Sequence, residues 1–571
     1  MEKGGNVTMI TRIASTINKM VNSEITINEI ELLIEQPKHA EQGDLALPCF
    51  RFARTMKLAP NQIAAQIASG FTCEGVIKVE AVGGYVNFFL DILTIAENVI
   101  TEIITQGNHY GDSDAGQGRA ITIDLSSPNI AKPFSMGHLR STVIGNAIAN
   151  MLEKNGYTPI RINHLGDWGT QFGKLITAYK RWGEENKVRQ DPIRELHQLY
   201  VYFHQQAEID ESLEKEGRQW FKCLEDGDTE AVALWKWFRE VSLEAFSRVY
   251  NLMGISFDSY HGEAFYNDKM RAVVEMLKNA DLLEESEGAK VVRLDDEGLP
   301  PCLIMKSDGA TLYATRDLAA AFYRQDHYAF AVSLYVVGNE QTLHFKQLIA
   351  VLNKLGVPWA NDLVHIPFGM ILKDGKKMST RKGKVVLLEE VLEQSIQMAH
   401  NAIMEKNPSL HNRKQVAKQV GVGAVLFHDL KVFRQNDIEF SLEDMLRFEG
   451  ETGPYVQYTH ARACSILRKA AWNQEYPTSF TTFGKDERAV VKQLAAFPEE
   501  VEKAVKEWDP SKVAKYVIDL SQDFNHYYAH TSILQGVKEE EKAQRLALVH
   551  AVSIVIKESL RLLGMEAPEE M

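Results

Sequence analysis

Cysteine is scarce and scattered in this chain. Its five cysteines, Cys49, Cys73, Cys223, Cys302 and Cys464, include no C-x-x-C pair. That argues against a disulfide framework and against cysteine-based zinc sites, and it fits a reducing, cytoplasmic location. Long hydrophobic runs are missing too: no segment approaches the roughly 18 uninterrupted apolar residues of a membrane span. The opening MEKGGNVTMITRIAST lacks the apolar core of a secretory signal. There is no internal repeat, no low-complexity tract and no Walker A loop. The nearest candidate, GTQFGKL from Gly169, has the wrong spacing and no Ser or Thr after Lys174. Positive charge is in short supply, with 63 Lys+Arg against 77 Asp+Glu and a net charge of −14. Phosphates call for clustered positive charge, so this balance alone disfavours a nucleic-acid partner.

What is present is ordinary globular material. Of 571 residues 45% are hydrophobic, which excludes disorder over most of the length. The length calls for about three domains. Residues 1–115 mix helical and strand-like pieces, among them IKVEAVGGYVNFFL with its Gly-Gly turn, and end in a polar, Gly-rich linker from Gly107 to Arg119. Residues 116–390 alternate strand, loop and helix: ITIDL, a helix from about His138 to Lys154, YTPIRINHL and another helix. After a helical, charge-rich insertion over about 186–283, strands at SLYVVG and HIPFGMIL flank the helix of QTLHFKQLIAVLNKLG. This predicts an α/β, split doubly wound (Rossmann-like) parallel-sheet core. Residues 391–571 show mostly amphipathic helical spacing and predict an all-α domain, beside an α+β N-terminal one.

Ligands of open α/β sheets bind beyond the carboxyl ends of the strands. The loop SSPNIAKPFSMGHLRST, Ser126 to Thr142, follows a strand and opens a helix, so its N–H groups and helix dipole can hold an anion. In isolation it also reads as a surface loop with a capping Ser and an incidental His. The loop KDGKKMSTRKGK, Lys373 to Lys384, sets six cationic residues against Asp374. That density suits a triphosphate or pyrophosphate, or else a solvated basic loop.

Taken together, a G-H at a helix start and a distant K-M-S loop after a later strand resemble the signature pair of class I aminoacyl-tRNA synthetases. The whole chain resembles the arginyl-tRNA synthetase family, through those two segments and through NHLGDWGTQFG, LYATRD, VVGNEQTLHF, TGPYVQYTHARACS and the terminal LGMEAPEEM. The resemblance implies ATP-dependent activation of L-arginine to arginyl-adenylate, then transfer to the 3′-terminal ribose of tRNA(Arg). It implies ATP with Mg²⁺ but no tightly bound protein metal, no membrane, and a monomer. No editing domain is expected, because a pocket that pairs a guanidinium already rejects analogues lacking one.

The same resemblance assigns roles. Catalytic work falls to His138 and Lys377, with Lys382 and Lys384 as candidates for a further cation. Arginine would be held by Asp124, Asn129, Ser135, Tyr313, Asp317 and Gln341, with Tyr313 and Asp317 clasping the guanidinium. ATP would meet Met136, Gly137, His138, Gly338, Gln341, His344, Met370, Lys377, Met378 and Ser379. For tRNA the candidates are Tyr85 and Asn87 at the D-loop, and Tyr455, Tyr458, Arg462 and Met571 at the anticodon. From spacing alone, the Tyr455, Tyr458, Arg462 stripe also reads as core packing.

Three departures stand out. Ser135 occupies a position that often holds a second His. Asp124 replaces the more usual Glu. Thr380-Arg381 stand where other class I enzymes have Lys-Ser, so the usual second lysine is missing. Two rival readings are a non-catalytic paralogue that binds tRNA or arginine, and another nucleotidyl transferase of the same superfold. The charge itself divides as −5 over residues 1–120, −3 over 451–571 and −6 between them. No domain is basic overall, so positive charge acts locally or not at all.

Overall fold

The computed structural model describes residues 9–21, 25–35, 37, 39, 42–306, 313–378, 380–381, 384–473, 480–481 and 483–571, the side chains of 380–385 excepted. Two compact units divide the chain. One comprises residues 1–107, 469–495 and 523–552, the other 108–468, 496–522 and 553–571.

The first unit begins with a three-stranded antiparallel sheet in the order Leu45–Pro48, Tyr85–Leu90, Val76–Val82. Val82 pairs with Tyr85 across Gly83-Gly84, and Gly83 takes the positive φ of 58° that such a two-residue hairpin needs. Helices Met9–Val21 and Pro60–Gly70 cover the sheet, burying Ile13, Ile17, Ile63 and Ile67 against Leu47, Val86 and Phe88. Helix Ile92–Gln106 follows, its start capped by the Asp91 carboxylate, which accepts from the N–H groups of Leu93 and Thr94.

The second unit is built on a four-stranded, wholly parallel sheet in the order Leu363–Phe368, Val332–Gly338, Ala120–Asp124, Thr158–Ile162. Helix Leu139–Lys154 connects one outer pair of strands and helix Thr342–Lys354 the other. The strand order therefore reverses between Ala120–Asp124 and Val332–Gly338, and a crevice opens there at the carboxyl ends. Helix Leu139–Lys154 is buried along nearly its whole length. It can approach the sheet because position 145 is glycine: a Cβ there would lie 2.5 Å from Leu125. The α/β, doubly wound reading of this core therefore holds.

Two segments differ from expectation. HIPFGMIL is not one strand. It ends at Phe368, and Ile371–Lys373 joins a separate small sheet, pairing in parallel with Ile438–Glu439. Gly369 makes the break, since a Cβ there would meet the Asn436 carbonyl oxygen at 2.6 Å. Residues 284–305, where the sequence suggested no strand, form an antiparallel sheet of Glu284–Ser286, Ala289–Val292 and Cys302–Met305. The region between is helical, with its longest helix at Thr229–Met253. Beyond Leu388 the chain is almost wholly helical. All five cysteines are free, and among the described residues no helix is long and apolar enough to cross a membrane.

Candidate active site

The strand Ala120–Asp124 delivers Asp124 to the crevice and releases the chain into the SSPNIAKP loop. This loop is strained: Ser126, Ser127 and Ala131 hold positive φ values of 72°, 50° and 59°. Buried hydrogen bonds hold it there. The N–H of Ser126 donates to Ser141 Oγ (2.9 Å), whose hydroxyl donates to the Val336 carbonyl (2.6 Å). Ser126 Oγ pairs with the Tyr250 hydroxyl (2.7 Å), and the Ala131 N–H donates to Ser242 Oγ (3.1 Å). Tyr250 and Ser242 belong to helix Thr229–Met253, so the insertion is a clamp on the first motif. Nothing in the local sequence announces that role.

His138 closes a short 3₁₀ turn, Met136–His138, just before helix Leu139–Lys154. Its Nδ1 lies 3.2 Å from the backbone nitrogen and 3.3 Å from the carbonyl oxygen of Ser135; the first contact suits the Nε2–H tautomer and the second the Nδ1–H one. Burial pushes its pKa down to about 4, so the ring is a neutral donor at physiological pH. Ser135 itself is buried, with its hydroxyl 3.4 Å from the same Nδ1. Its observed contact is with His138, although the sequence grouped it with the arginine-binding residues.

The two motifs meet through backbone. Met136 N–H donates to the Val386 carbonyl (3.1 Å), and Leu388 N–H to the Phe134 carbonyl (3.0 Å). The basic segment is thus anchored just past its end. It is also paired within itself: Ile371–Lys373 and Lys376–Lys377 form a hairpin turning at Asp374-Gly375, and Thr380–Arg381 pairs with Lys384–Val385. Glu439 accepts from the N–H groups of Asp374 and Gly375 at the first turn. Lys377 reaches Glu340, 3.4 Å away, and both are about half exposed. Gly137, Met370, Lys377 and Met378 line one cleft together with Glu340 and Arg140. Ser379 and Lys382 lie outside the described residues, as does the side chain of Lys384.

A second cluster lies at the sheet's switch point. Asp317, in the second turn of helix Tyr313–Tyr328, bonds through Oδ2 to Nε2 of His344 at 2.6 Å. The sequence reading gave these two residues to different substrates, and the structure joins them. Burial opposes the charge on His344, but the Asp317 carboxylate more than offsets it, and the His344 pKa is raised. On Asp317 burial likewise works against charge, yet His344, His164 and Arg324 together hold its pKa below the usual carboxylate range. Asp124 accepts from Arg324 Nη2 and from Ser127 Oγ, each at 2.8 Å. Arg324 is buried, with His164 and the ring of Tyr335 beside it. Sequence reasoning missed Arg324, although it stands seven residues after Asp317 and so shares its helix face. Asn129 is half-buried and packs on Gly166, where a Cβ would lie 2.3 Å from its Oδ1. Tyr313 and Gln341 are exposed at the rim, and Gly338 ends its strand.

The remaining candidates divide. Tyr458 is exposed, with the Arg462 guanidinium 4.8 Å from its ring centre, and Tyr455 is half-buried on the same helix, Gly453–Lys469. Met571 packs against the buried cluster that contains Ile403, Leu410 and Val416, and its carbonyl accepts from Asn407. Tyr85 is exposed, but Asn87 is buried at 4%. Asn87 sits in the central strand between Ala46 and Glu80.

A parallel sheet whose switch point receives a histidine at a helix start and a lysine-bearing hairpin is the arrangement of a class I aminoacyl-tRNA synthetase. The profile of the tRNA synthetases class I (R) catalytic domain matches residues 99–442. Profiles of the arginyl tRNA synthetase N-terminal domain and the DALR anticodon binding domain match residues 8–90 and 456–571. The chain is 57% identical to an arginine–tRNA ligase of Enterococcus faecalis over 98% of its length and 99% of that protein's. It is 56% identical to arginine–tRNA ligase 2 of Bacillus anthracis over the same shares. Its fold matches the solved arginyl-tRNA synthetase of Thermus thermophilus with a TM-score of 0.79 at 25% identity, over 94% of this chain and 96% of that one. This chain belongs to the arginyl-tRNA synthetase family.

Proposed function

We infer that this chain activates L-arginine with ATP and transfers it to the 3′-terminal ribose of tRNA(Arg). The observation that carries the reading is one crevice at the switch point. On one side Gly137, Met370, Lys377 and Met378 share a cleft, and near the same strand ends lie two carboxylates, the buried Asp124 and the half-buried Asp317. A carboxylate pocket suits a guanidinium with its five fixed donors, and a cationic cleft beside it suits phosphates.

The chemistry needs no enzyme nucleophile. The arginine carboxylate attacks the α-phosphorus of ATP and pyrophosphate leaves, after which the ribose hydroxyl takes the arginyl group from the adenylate. Catalysis is then positioning and stabilisation of phosphate charge. In its Nε2–H tautomer, neutral His138 would donate a hydrogen bond where negative charge builds on the α-phosphate. Lys377 exchanges Glu340 for the β- and γ-phosphates, and Lys382 or Lys384 supplies the second cation that Thr380-Arg381 do not. Asp317 takes the guanidinium with Tyr313 and Gln341, and Asp124 and Asn129 take the α-amino end. Gly338 and His344 border the nucleotide.

The cleft fits an ion that travels with ATP. Glu340 is the one carboxylate among its lining residues, and Mg²⁺ dehydrates reluctantly, so phosphate oxygens and water would supply most of its ligands. Mg²⁺ then neutralises charge on the phosphates. For tRNA, Tyr458 with Arg462 offers an exposed ring and a cation to an unpaired base and its phosphate. Tyr455 and Met571 would border that contact, and Tyr85 would meet the D-loop. Residues 1–115, 116–390 and 391–571 would serve as D-loop, catalytic and anticodon domains of a cytoplasmic monomer.

The test is arginine-dependent ATP–pyrophosphate exchange, with and without tRNA, together with charging of tRNA by labelled arginine. Arginylation of tRNA is expected, and failure to charge it, together with no exchange either with or without tRNA, favours the non-catalytic paralogue.

A further inference from the structure

Outside the crevice, the first unit carries a cluster that synthetase chemistry does not use. His526 and His530 lie one helical turn apart on helix Ser511–His530, with ring centres 4.2 Å apart. Asp486, in the first turn of helix Lys485–Lys506, faces them. We propose that Asp486, His526 and His530 form a surface site for a divalent transition-metal ion of the zinc class, tying these two helices together.

The geometry is close to what such an ion needs. One ligand atom from each of the three side chains lies within 4.8 Å of the others. His526 Nε2 and Asp486 Oδ1 are 3.7 Å apart. Tetrahedral zinc with metal–nitrogen bonds of about 2.1 Å sets its ligand atoms roughly 3.4 Å apart, so small rotations of exposed side chains close the site. His530 is already oriented. Its Nδ1 lies 2.8 Å from the His526 carbonyl oxygen, and a carbonyl only accepts, so Nδ1 carries the proton and Nε2 keeps its lone pair for a metal. Two imidazoles and one carboxylate favour zinc, cobalt or nickel over the magnesium that accompanies ATP. Water would complete the coordination. Only the H-x-x-x-H spacing of 526–530 is visible in the sequence, since Asp486 stands far upstream.

Tag-free, full-length protein stripped with a chelator would be titrated with Co²⁺, read by visible absorption, and with Zn²⁺, read by calorimetry. One saturable equivalent is expected. His526→Ala and His530→Ala should each weaken it at least ~10-fold, the lower end of what losing a residue that merely orients a metal ligand costs. Zn²⁺ should raise the melting temperature of the wild type but not of the double histidine variant, whose folding is checked by circular dichroism. Binding of equal strength in the wild type and the double variant would overturn the proposal. So would the absence of saturable Co²⁺ binding to the wild type.

Discussion

Arg324 donates from Nη2 to Oδ2 of Asp124 at 2.8 Å, with side-chain exposures of 1% and 9%. Nε and Nη1 of the same guanidinium have no hydrogen-bond partner, so Asp124 is the main compensation for a desolvated cation. Removing one member of such a pair strands the other. Arg324→Met should destabilise the protein by about 3–5 kcal/mol in urea unfolding. The double variant Asp124→Asn/Arg324→Met should recover part of that loss, because no unpaired charge remains. Strictly additive single effects would show that the two residues are not coupled. In variants that fold, the KM for arginine should rise more than the KM for ATP.

The Asp317–His344 pair makes arginine affinity depend on pH. While His344 is protonated it occupies the oxygen that a guanidinium needs, and the other charged or titratable groups that interact with Asp317 include His164, Arg324, Tyr335 and Glu263, whose own pKa is raised to about 7 chiefly by burial. The His344 pKa is raised and that of Asp317 is depressed, so the ion pair persists from below the ordinary carboxylate range to above the ordinary histidine value of 6.5. The stability from His344 is complete below 6.5 and is lost as pH rises through its raised pKa. That from Asp317 is lost as pH falls through its depressed one. The KM for arginine should therefore fall as pH climbs past 6.5, and His344→Gln should flatten the profile. Asp317→Ala should cost several kcal/mol of arginine binding, on the order of 2–5, and an unchanged KM and kcat would refute its assignment.

The two signature motifs were legible because their spacing encodes strand, loop and helix in order, and the parallel core followed from that alternation. The partners that make the motifs work were not. Tyr250 and Ser242 reach Ser126 and Ala131 from more than a hundred residues away, and nothing near either position points to the other. The Asp374-Gly375 pair, by contrast, is a local hairpin signal that the basic composition of its loop obscured. The low exposure of Asn87 was not legible either, because it comes from strands pairing on both sides of its own.

His138 should act as a neutral donor and not as a cation. With its pKa near 4, kcat for pyrophosphate exchange should show no step from this ring between pH 5.5 and 8. His138→Ala should lower kcat by roughly 10²–10³-fold, the loss typical of one preorganised donor. An asparagine there, which restores an N–H, should recover part of it. A wild-type rate in His138→Ala would remove the residue from the mechanism.

Lys377 and Glu340 are about half exposed, so their pairing contributes little to stability, at most ~1 kcal/mol. Lys377→Ala should leave the melting temperature near wild type while raising the KM for ATP and lowering the rate of adenylate formation. Lys382→Ala and Lys384→Ala, assayed singly, ask whether either supplies the missing second lysine. Wild-type adenylate formation in both would leave that substitution untenable.

Tyr458 offers the clearest separation of tRNA binding from chemistry. The residue is 39% exposed and its ring carries Arg462 at 4.8 Å, whereas Val456 and Thr459 on the same helix are buried. Loss of one base stack costs about 1–3 kcal/mol. Tyr458→Ala should therefore raise the KM for tRNA by roughly one to two decades, on the scale of about 1.4 kcal/mol per decade. At saturating tRNA its arginine and ATP constants in the exchange assay should stay at wild-type values. Arg462→Gln should reduce the slope of the salt dependence of tRNA binding by about one. An unaltered tRNA KM in Tyr458→Ala would return the stripe to core packing.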